Sequence, residues 1–490
     1  MLTYDVSQRS DESMYEYLYL CIRSDIENGV IPAGARLPSK RAFANHLGVS
    51  LITVEGAYSQ LVAEGYVRSE PRRGYYACEI DARPMRQAQN HAGAAGLPAP
   101  ASAFASCPNE SPLIADFSGG SLPLARFPFA SWAKTMREVL SREPEQALLG
   151  DTCAQGSLAL REQLADYLRS FRGMRVDPSQ IVVAAGSQVL YNLIVQLLGR
   201  DVGYAVETPG YPRLTSIYRA NDVRLSHIPL DEGGIRVDEL ASSGAGVVHI
   251  MPSHQFPTGQ VTSVSRRYEL LGWASERPGR FIVEDDYDCE FRLSGRPIPS
   301  LMSVDASSCV IYTNTFAKSL GASFRIAYMV LPEALMDAYQ ERLGFYSSTV
   351  STTEQLALAH FISSGEYERH VSRTRTYYRA LRNSLVDALR ACPASDFLQV
   401  ESTDAGLHFL MRVDRAVPQE KLVTAAWARG VRLSPLSGYC ARVAPATPAA
   451  PDRSACYENA YVMSYAGLAP EQVDPAVEAL SQAILDVLHA

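Results

Sequence analysis

Thr313-Asn314-Thr315-Phe316-Ala317-Lys318-Ser319-Leu320, with Arg325 following, is the most informative run in the larger part of this chain. Lys318 offers an amine that can condense with a carbonyl. Arg325 can grip a phosphate through two oxygens at once, and the Thr315 hydroxyl can add a hydrogen bond. Taken alone, a lysine beside a serine reads as surface. Weight comes from what stands upstream. Phe281-Ile282-Val283 leads into Glu284-Asp285-Asp286-Tyr287-Asp288. An acidic cluster at the carboxyl end of a buried strand is costly unless it meets a cation or donor, and ligands bind at such strand ends. Ala185-Gly186-Ser187-Gln188 lies between a strand-like run and an apolar helical one, where backbone N–H groups and a hydroxyl can cup an anion at a helix start.

From Asp116 to Ala490, strand-like runs such as Ile181 to Ala184 and Phe281 to Val283 alternate with helical runs such as Leu158 to Phe171. That alternation predicts an α/β fold with a mostly parallel sheet covered by helices. Pro470 to Leu488 has helical spacing and reads as a packing helix. A domain that holds pyridoxal 5'-phosphate must supply a lysine for the imine, a carboxylate for the pyridine nitrogen, a phosphate clamp and a stacking surface. The sequence offers a candidate for each. In this order, together with Glu207-Thr208-Pro209-Gly210-Tyr211-Pro212 and Pro252-Ser253-His254-Gln255-Phe256-Pro257-Thr258-Gly259, the region resembles the fold-type I aminotransferases over about residues 114–490. The resemblance implies that Lys318 forms the Schiff base, Asp285 pairs with the pyridine nitrogen and Tyr287 bonds the phenolic oxygen. By the same resemblance Tyr211 stacks on the ring, while Ser187, Gln188, Thr315 and Arg325 hold the phosphate. His254, in the H-Q-F-P motif, is balanced between a place near the ring and a place in the core.

Residues 1–78 read differently. Leu18, Cys21, Ile22 and Ile26 recur at helical spacing, so a first helix is predicted from Asp11 to Asn28. Pro38-Ser39 starts a second that ends at Leu47, Gly48 turns the chain, and Ser50 caps a third that runs to Glu64. Two helices joined by so tight a turn spell helix-turn-helix. Tyr66-Val67-Arg68 and Tyr75-Tyr76-Ala77-Cys78, around Pro71-Arg72-Arg73-Gly74, read as a two-stranded wing. From Arg36 to Tyr76 six basic residues (Arg36, Lys40, Arg41, Arg68, Arg72, Arg73) stand against three acidic ones. They gather where a winged helix meets phosphates, and the start of the third helix reads base edges. Gly34-Ala35-Arg36-Leu37-Pro38-Ser39-Lys40-Arg41, Leu47-Gly48-Val49-Ser50, Thr53-Val54 and Leu61-Val62-Ala63-Glu64-Gly65-Tyr66 together resemble the GntR-type winged helix, which places Arg41, Ser50, Thr53, Arg73 and Gly74 at DNA-contacting positions; Arg36, Lys40 and Arg72 join them by charge. Leu51 stands where that family usually has Arg, and Glu55 where a basic residue is common. Residues 79–112, rich in Ala, Pro, Ser, Gln and Asn, read as a flexible tether between the head and a domain over 113–490.

Composition sets the remaining bounds. The 490 residues exceed one ordinary domain, and 47% hydrophobic with 20% charged residues is an ordinary globular balance. A net charge of −8 argues against wholesale coating of nucleic acid. Nine cysteines without a C-x-x-C pair suggest neither a disulfide framework nor a metal site, so no metal is expected. The polar start and the lack of a long apolar run point to a cytoplasmic chain with no membrane partner.

Head and large domain together resemble the MocR family of regulators. That resemblance implies a homodimer binding a double-stranded DNA operator and sensing a small amino compound, or the cofactor itself. An acid group on the effector would need a cation, and Arg213, two residues beyond Tyr211 and so on the same strand-end loop, is the best candidate. Gly438 stands where a family member that senses a γ-amino acid has a second Arg, with Arg442 nearby. Val462 occupies the place where aminotransferases keep the Arg for an α-carboxylate, which weakens the case for ordinary turnover. The alternative is an active aminotransferase with an accessory DNA-binding head.

Overall fold

Ser39 and Ser50 decide where two head helices begin. In the computed structural model, which describes residues 2–4, 13–79, 113–119, 123, 126–150, 152–293, 298–403, 406–441 and 457–489, Ser39 Oγ accepts from the Ala42 N–H at 3.3 Å and Ser50 Oγ from the Thr53 N–H at 3.1 Å. These caps open the helices Lys40–Leu47 and Leu51–Ala63. Gly48, at φ 66°, ends the first of them in the left-handed region that a Cβ would strain. The helix before them runs Met14–Glu27, and Asp11 lies outside the described residues. Strands Val67–Glu70 and Gly74–Ala77 pair antiparallel with Val67 opposite Ala77. Leu18, Ile22, Phe43, Val54, Tyr58 and Leu61 meet in one core. Of the expected tether over 79–112, all but Glu79 lies outside the described residues.

The chain divides into two units, Met1–Ser106 and Cys107–Ala490. In the second, eight strands form one sheet in the spatial order Ile181–Ala184, Ala327–Val330, Val310–Thr315, Phe281–Asp285, Val247–Ile250, Tyr204–Thr208, Leu225–Asp231 and Gly234–Ile235. Ala327–Val330 is antiparallel to both its neighbours and Gly234–Ile235 to its one; the other pairings are parallel. Ile181–Ala184 shows why the sheet is covered on both faces. Ile181 and Val183 pack with Leu160, Leu164 and Leu168 of the helix Leu158–Arg172, while Val182 and Ala184 pack with Leu190 and Ile194 of the helix Ser187–Leu198.

A four-stranded antiparallel sheet, with strands Leu398–Glu401, His408–Val413, Ala460–Ser464 and Ser434–Pro435, packs with the helices Glu366–Ala391, Gln419–Ala428 and Val473–His489. The last helix buries Val473, Val477, Leu480 and Ile484, as its spacing requires. Among the described residues no helix is long and apolar enough to cross a membrane. The carboxyl ends of the parallel strands share one edge of the large sheet, and that edge carries Gly186, Thr208, Asp285 and Thr315.

Candidate functional site

At one end of this edge the structure builds an anion cradle. Thr315 lies opposite Ala327, and Ala327 opposite Ala184, so Thr315 and the Ala185-Gly186-Ser187 turn are neighbours across the sheet. Gly186, at φ 90°, starts the helix Ser187–Leu198, whose first N–H groups include those of Ser187 and Gln188. Arg325 sits at φ 47° and donates to the Ala185 carbonyl at 3.3 Å. A Cβ on residue 186 would lie 2.6 Å from Arg325 Nη2, so glycine is what lets the guanidinium close over the helix start. Thr315 Oγ1 accepts from the Ala317 N–H at 3.2 Å.

Beside it stands a wall of buried carboxylates. Glu284 accepts from the N–H groups of Leu301 and Met302 at 2.8 and 3.0 Å, and Asp286 pairs with Arg172 at 2.7 Å while accepting from Tyr312 at 2.7 Å. Asp288 meets His254 Nδ1 at 2.9 Å, and the Tyr287 hydroxyl lies 3.1 Å from the same nitrogen. Asp285 accepts from the Tyr191 hydroxyl at 2.5 Å and lies 3.5 Å from His249 Nε2. Both contacts use Oδ2. Its Oδ1 makes no hydrogen bond among the described residues, which fits a carboxylate held ready for a protonated ring nitrogen.

Lys318 is half-buried; desolvation pulls its ammonium below the usual lysine range, against the opposing attraction of Asp288. Burial, then His254 and Lys318, hold His408 far below the ordinary histidine range. The rings of His254 and His408 lie 4.4 Å apart, and Nε2 of each is buried without a hydrogen-bond partner. His254 therefore belongs both to the core and to the wall around Lys318. His254, Asp288 and His408 bring donor atoms within 4.8 Å of one another, the nearest thing to a metal cage among the described residues. Tyr211 packs edge-on to Phe256 at 5.8 Å; burial raises its phenol, and the charges of Arg213, Asp285 and Arg325 all reach it.

The effector end departs from one expectation. Arg213 is exposed in the first turn of the helix Pro212–Ala220 rather than on a loop, because Pro212 is pre-set for the first helical position. Val462 is buried opposite Leu410 and Ser434, in a cluster with Leu436, Ala460, Phe256 and Tyr439. Gly438 is exposed in the turn Leu436–Tyr439, and Arg442 lies outside the described residues.

In the head, Arg41, Arg72 and Arg73 are exposed, and Arg73 lies 3.8 Å from Glu70. The Arg36 guanidinium packs on Gly74, where a Cβ would sit 3.3 Å from Nε. Lys40 is spent within the head: Nζ meets Glu55 at 2.7 Å and lies 5.3 Å from the Tyr75 ring centre. Sequence reasoning missed Arg172, Tyr191, His249, His408 and Gly406. A histidine inside an apolar run, as in Val247-Val248-His249-Ile250 and Leu407-His408-Phe409-Leu410, was the available signal for two of them. Gly406, at φ 71°, leaves room for His254, whose Cε1 a Cβ there would approach to 1.8 Å.

Comparisons with known proteins agree with both halves. The model for aminotransferase class I and II matches residues 115–480, and that for bacterial regulatory proteins of the gntR family matches 14–76. An uncharacterized HTH-type transcriptional regulator, YhdI of Bacillus subtilis, is 36% identical over 481 residues, 98% of this chain and 97% of that protein. The probable rhizopine catabolism regulatory protein MocR of Rhizobium meliloti is 32% identical over 97% of this chain and 94% of its own. Among solved structures, the α-aminoadipate aminotransferase LysN of Thermus thermophilus, complexed with N-(5'-phosphopyridoxyl)-L-leucine, matches with a TM-score of 0.64 at 25% identity, covering 77% of this chain and 93% of that one. The chain belongs to the MocR-type family of HTH-type regulators, in which a GntR head is joined to an aminotransferase class I and II domain.

Proposed function

We propose that the chain is a pyridoxal 5'-phosphate-dependent transcription regulator whose large domain senses a small amino compound and passes the event to a DNA-binding head. The observation that carries it is the coexistence, on one chain, of a capped helix-turn-helix and a carboxylate wall facing a half-buried lysine. The residues fit the cofactor. Lys318 would anchor it, Asp285 Oδ1 would face its ring nitrogen, and Tyr287 its phenolic oxygen. Tyr211 would cover the ring, and Ser187, Gln188, Thr315 and Arg325 would hold the phosphate. When bound, the group supplies an aldehyde that exchanges one amine for another.

The protein's own residues decide which amine and to what end. Tyr191 and His249 hold Asp285 in place, which fixes the direction its carboxylate presents to a ring nitrogen. A depressed Lys318 pKa leaves more free amine available for exchange. Arg213 would meet an acid group on the effector, and displacement of Lys318 would bias a two-state arrangement that changes operator affinity. We read the domains as 1–78 and 113–490 joined by a tether over 79–112, the assembly as a homodimer with two heads for repeated half-sites, and the compartment as the cytoplasm. Arg36, Lys40, Arg41, Ser50, Thr53, Arg72, Arg73 and Gly74 form the DNA face in this reading, with Lys40 acting through its place in the head.

The test pairs absorbance with operator binding. Purified protein should carry a visible cofactor band, and amines that shift the band should shift operator affinity. Repeated interconversion of an amino donor and a keto acid, with no operator bound in a footprint, would overturn the reading in favour of an aminotransferase.

A further inference from the structure

At the start of the third head helix, Leu51–Ala63, polar groups are largely engaged within the head and apolar ones face outward. Ser50 and Thr53 are tied to each other: the Thr53 N–H donates to Ser50 Oγ at 3.1 Å, and the two hydroxyls lie 2.8 Å apart, which leaves one hydroxyl hydrogen between them. Glu55 is held by Lys40. Between them Leu51 is 41% exposed and Ile52 80% exposed. A single exposed apolar residue needs no explanation. Two in succession at the reading end of a helix-turn-helix, on a unit that also exposes Arg41, Arg72 and Arg73, have a definite complement.

A major groove presents four kinds of edge. Guanine is read by Arg or Lys and adenine by Asn or Gln, each through two hydrogen bonds, while cytosine asks for a carboxylate. Residues 50–55 are Ser, Leu, Ile, Thr, Val and Glu, so neither of the first two pairings is available there, and the carboxylate is already engaged. What remains is the C5-methyl group of thymine, the apolar feature of the groove, and a branched aliphatic side chain buries it well. We propose that Leu51 and Ile52 read thymine methyl groups, so that the operator half-site carries A·T pairs at the bases facing the start of this helix. The proposal rests on the reading of the head as a DNA-binding module. The basic residues of the same unit supply the charge complementarity to duplex DNA that an apolar contact cannot.

The experiment selects duplexes with the full-length chain from a random library, then remakes the selected duplex with uracil in place of each thymine in turn. Uracil keeps the pairing pattern and lacks only the methyl. We expect thymine in both half-sites, and a loss of about fourfold in affinity for each contacted methyl removed. Ile52→Ala, at an exposed site that leaves the head folded, should bind the thymine duplex about fourfold more weakly and no longer distinguish uracil from thymine at the position Ile52 covers. Leu51→Ala should do the same to a smaller degree. Uracil tolerated at every position overturns the proposal, as does an Ile52→Ala protein that still prefers thymine at every position where the unsubstituted protein does. Unchanged affinity of Ile52→Ala assigns the patch to a protein contact and overturns it too. A chain that selects no sequence overturns the DNA reading itself, and this inference with it.

Discussion

In the large unit, Glu284, Asp285, Asp286 and Asp288 stand in succession at a strand end, and each finds a donor or cation within 2.9 Å. In the head, Arg41 and Arg72 extend into solvent without an ion pair among the described residues, and Leu51 and Ile52 face outward beside them. The first region is fixed by the cost of burial, since an unpaired carboxylate there would cost about 3–5 kcal/mol. The second has no such constraint. Its side chains answer only to a partner, so they can be exchanged while the fold stands. A buried site therefore announces its chemistry through its own partners, and a surface site through what it leaves unpartnered.

Four substitutions test this contrast. Lys318→Ala should abolish the visible cofactor band outright; a persistent band would place the anchor elsewhere. Arg172→Ala leaves Asp286 as an unpaired buried charge and should cost about 3–5 kcal/mol, read as a lower unfolding midpoint of the large unit with the head transition unmoved. An unchanged midpoint would show that the carboxylate wall is not held as described.

Burial pushes the Glu207 carboxyl up to about 8, with the Met251 N–H and Gln255 opposing, and burial likewise raises Glu284 and Glu290 to about 7. A folded pKa above the unfolded one adds stability that is full below about pH 4.5 and is lost as the pH climbs through the folded value. The large unit should therefore melt lower at pH 9 than at pH 6, and Glu207→Gln should flatten that slope, by about 2–4 °C for each kcal/mol involved. A slope unaltered by the substitution would assign it to other groups. The smallest effect belongs to the head. Arg73→Ala should weaken binding to all duplexes alike and lower the magnitude of the salt slope by about one, as for a lost phosphate contact. A change confined to one sequence would make Arg73 a base reader instead.

Much of this was legible from residues alone, for reasons that differ by site. The Lys318, Asp285, Ser187 and Arg325 positions were readable because each lies at a strand end bounded by an apolar run, and the sheet order brings those ends to one edge. The caps Ser39 and Ser50 were readable because their chemistry is local. Arg172 was not, because an arginine in the last turn before Gly173 reads as a surface complement to the helix dipole, while the fold buries it against Asp286. Tyr191 and His408 were hidden for a related reason: their partners are long-range, and Tyr191 in particular looks like any aromatic on an apolar helix face. Arg213 was placed on a loop because its neighbour Tyr211 dominated the reading, although Pro212 already marked a helix start. The engagement of Lys40 by Glu55, fifteen positions apart, needed the packed pair of helices to be seen.

The most direct measurement follows the cofactor band and operator affinity in one sample while amines, amino acids and amino-sulfonates are titrated in. Sensing through Lys318 predicts that the compounds which shift the band also shift operator affinity, with the same half-saturation, and that neither change occurs in Lys318→Ala. Band shifts accompanied by sustained turnover and an operator affinity that stays constant throughout would contradict the account.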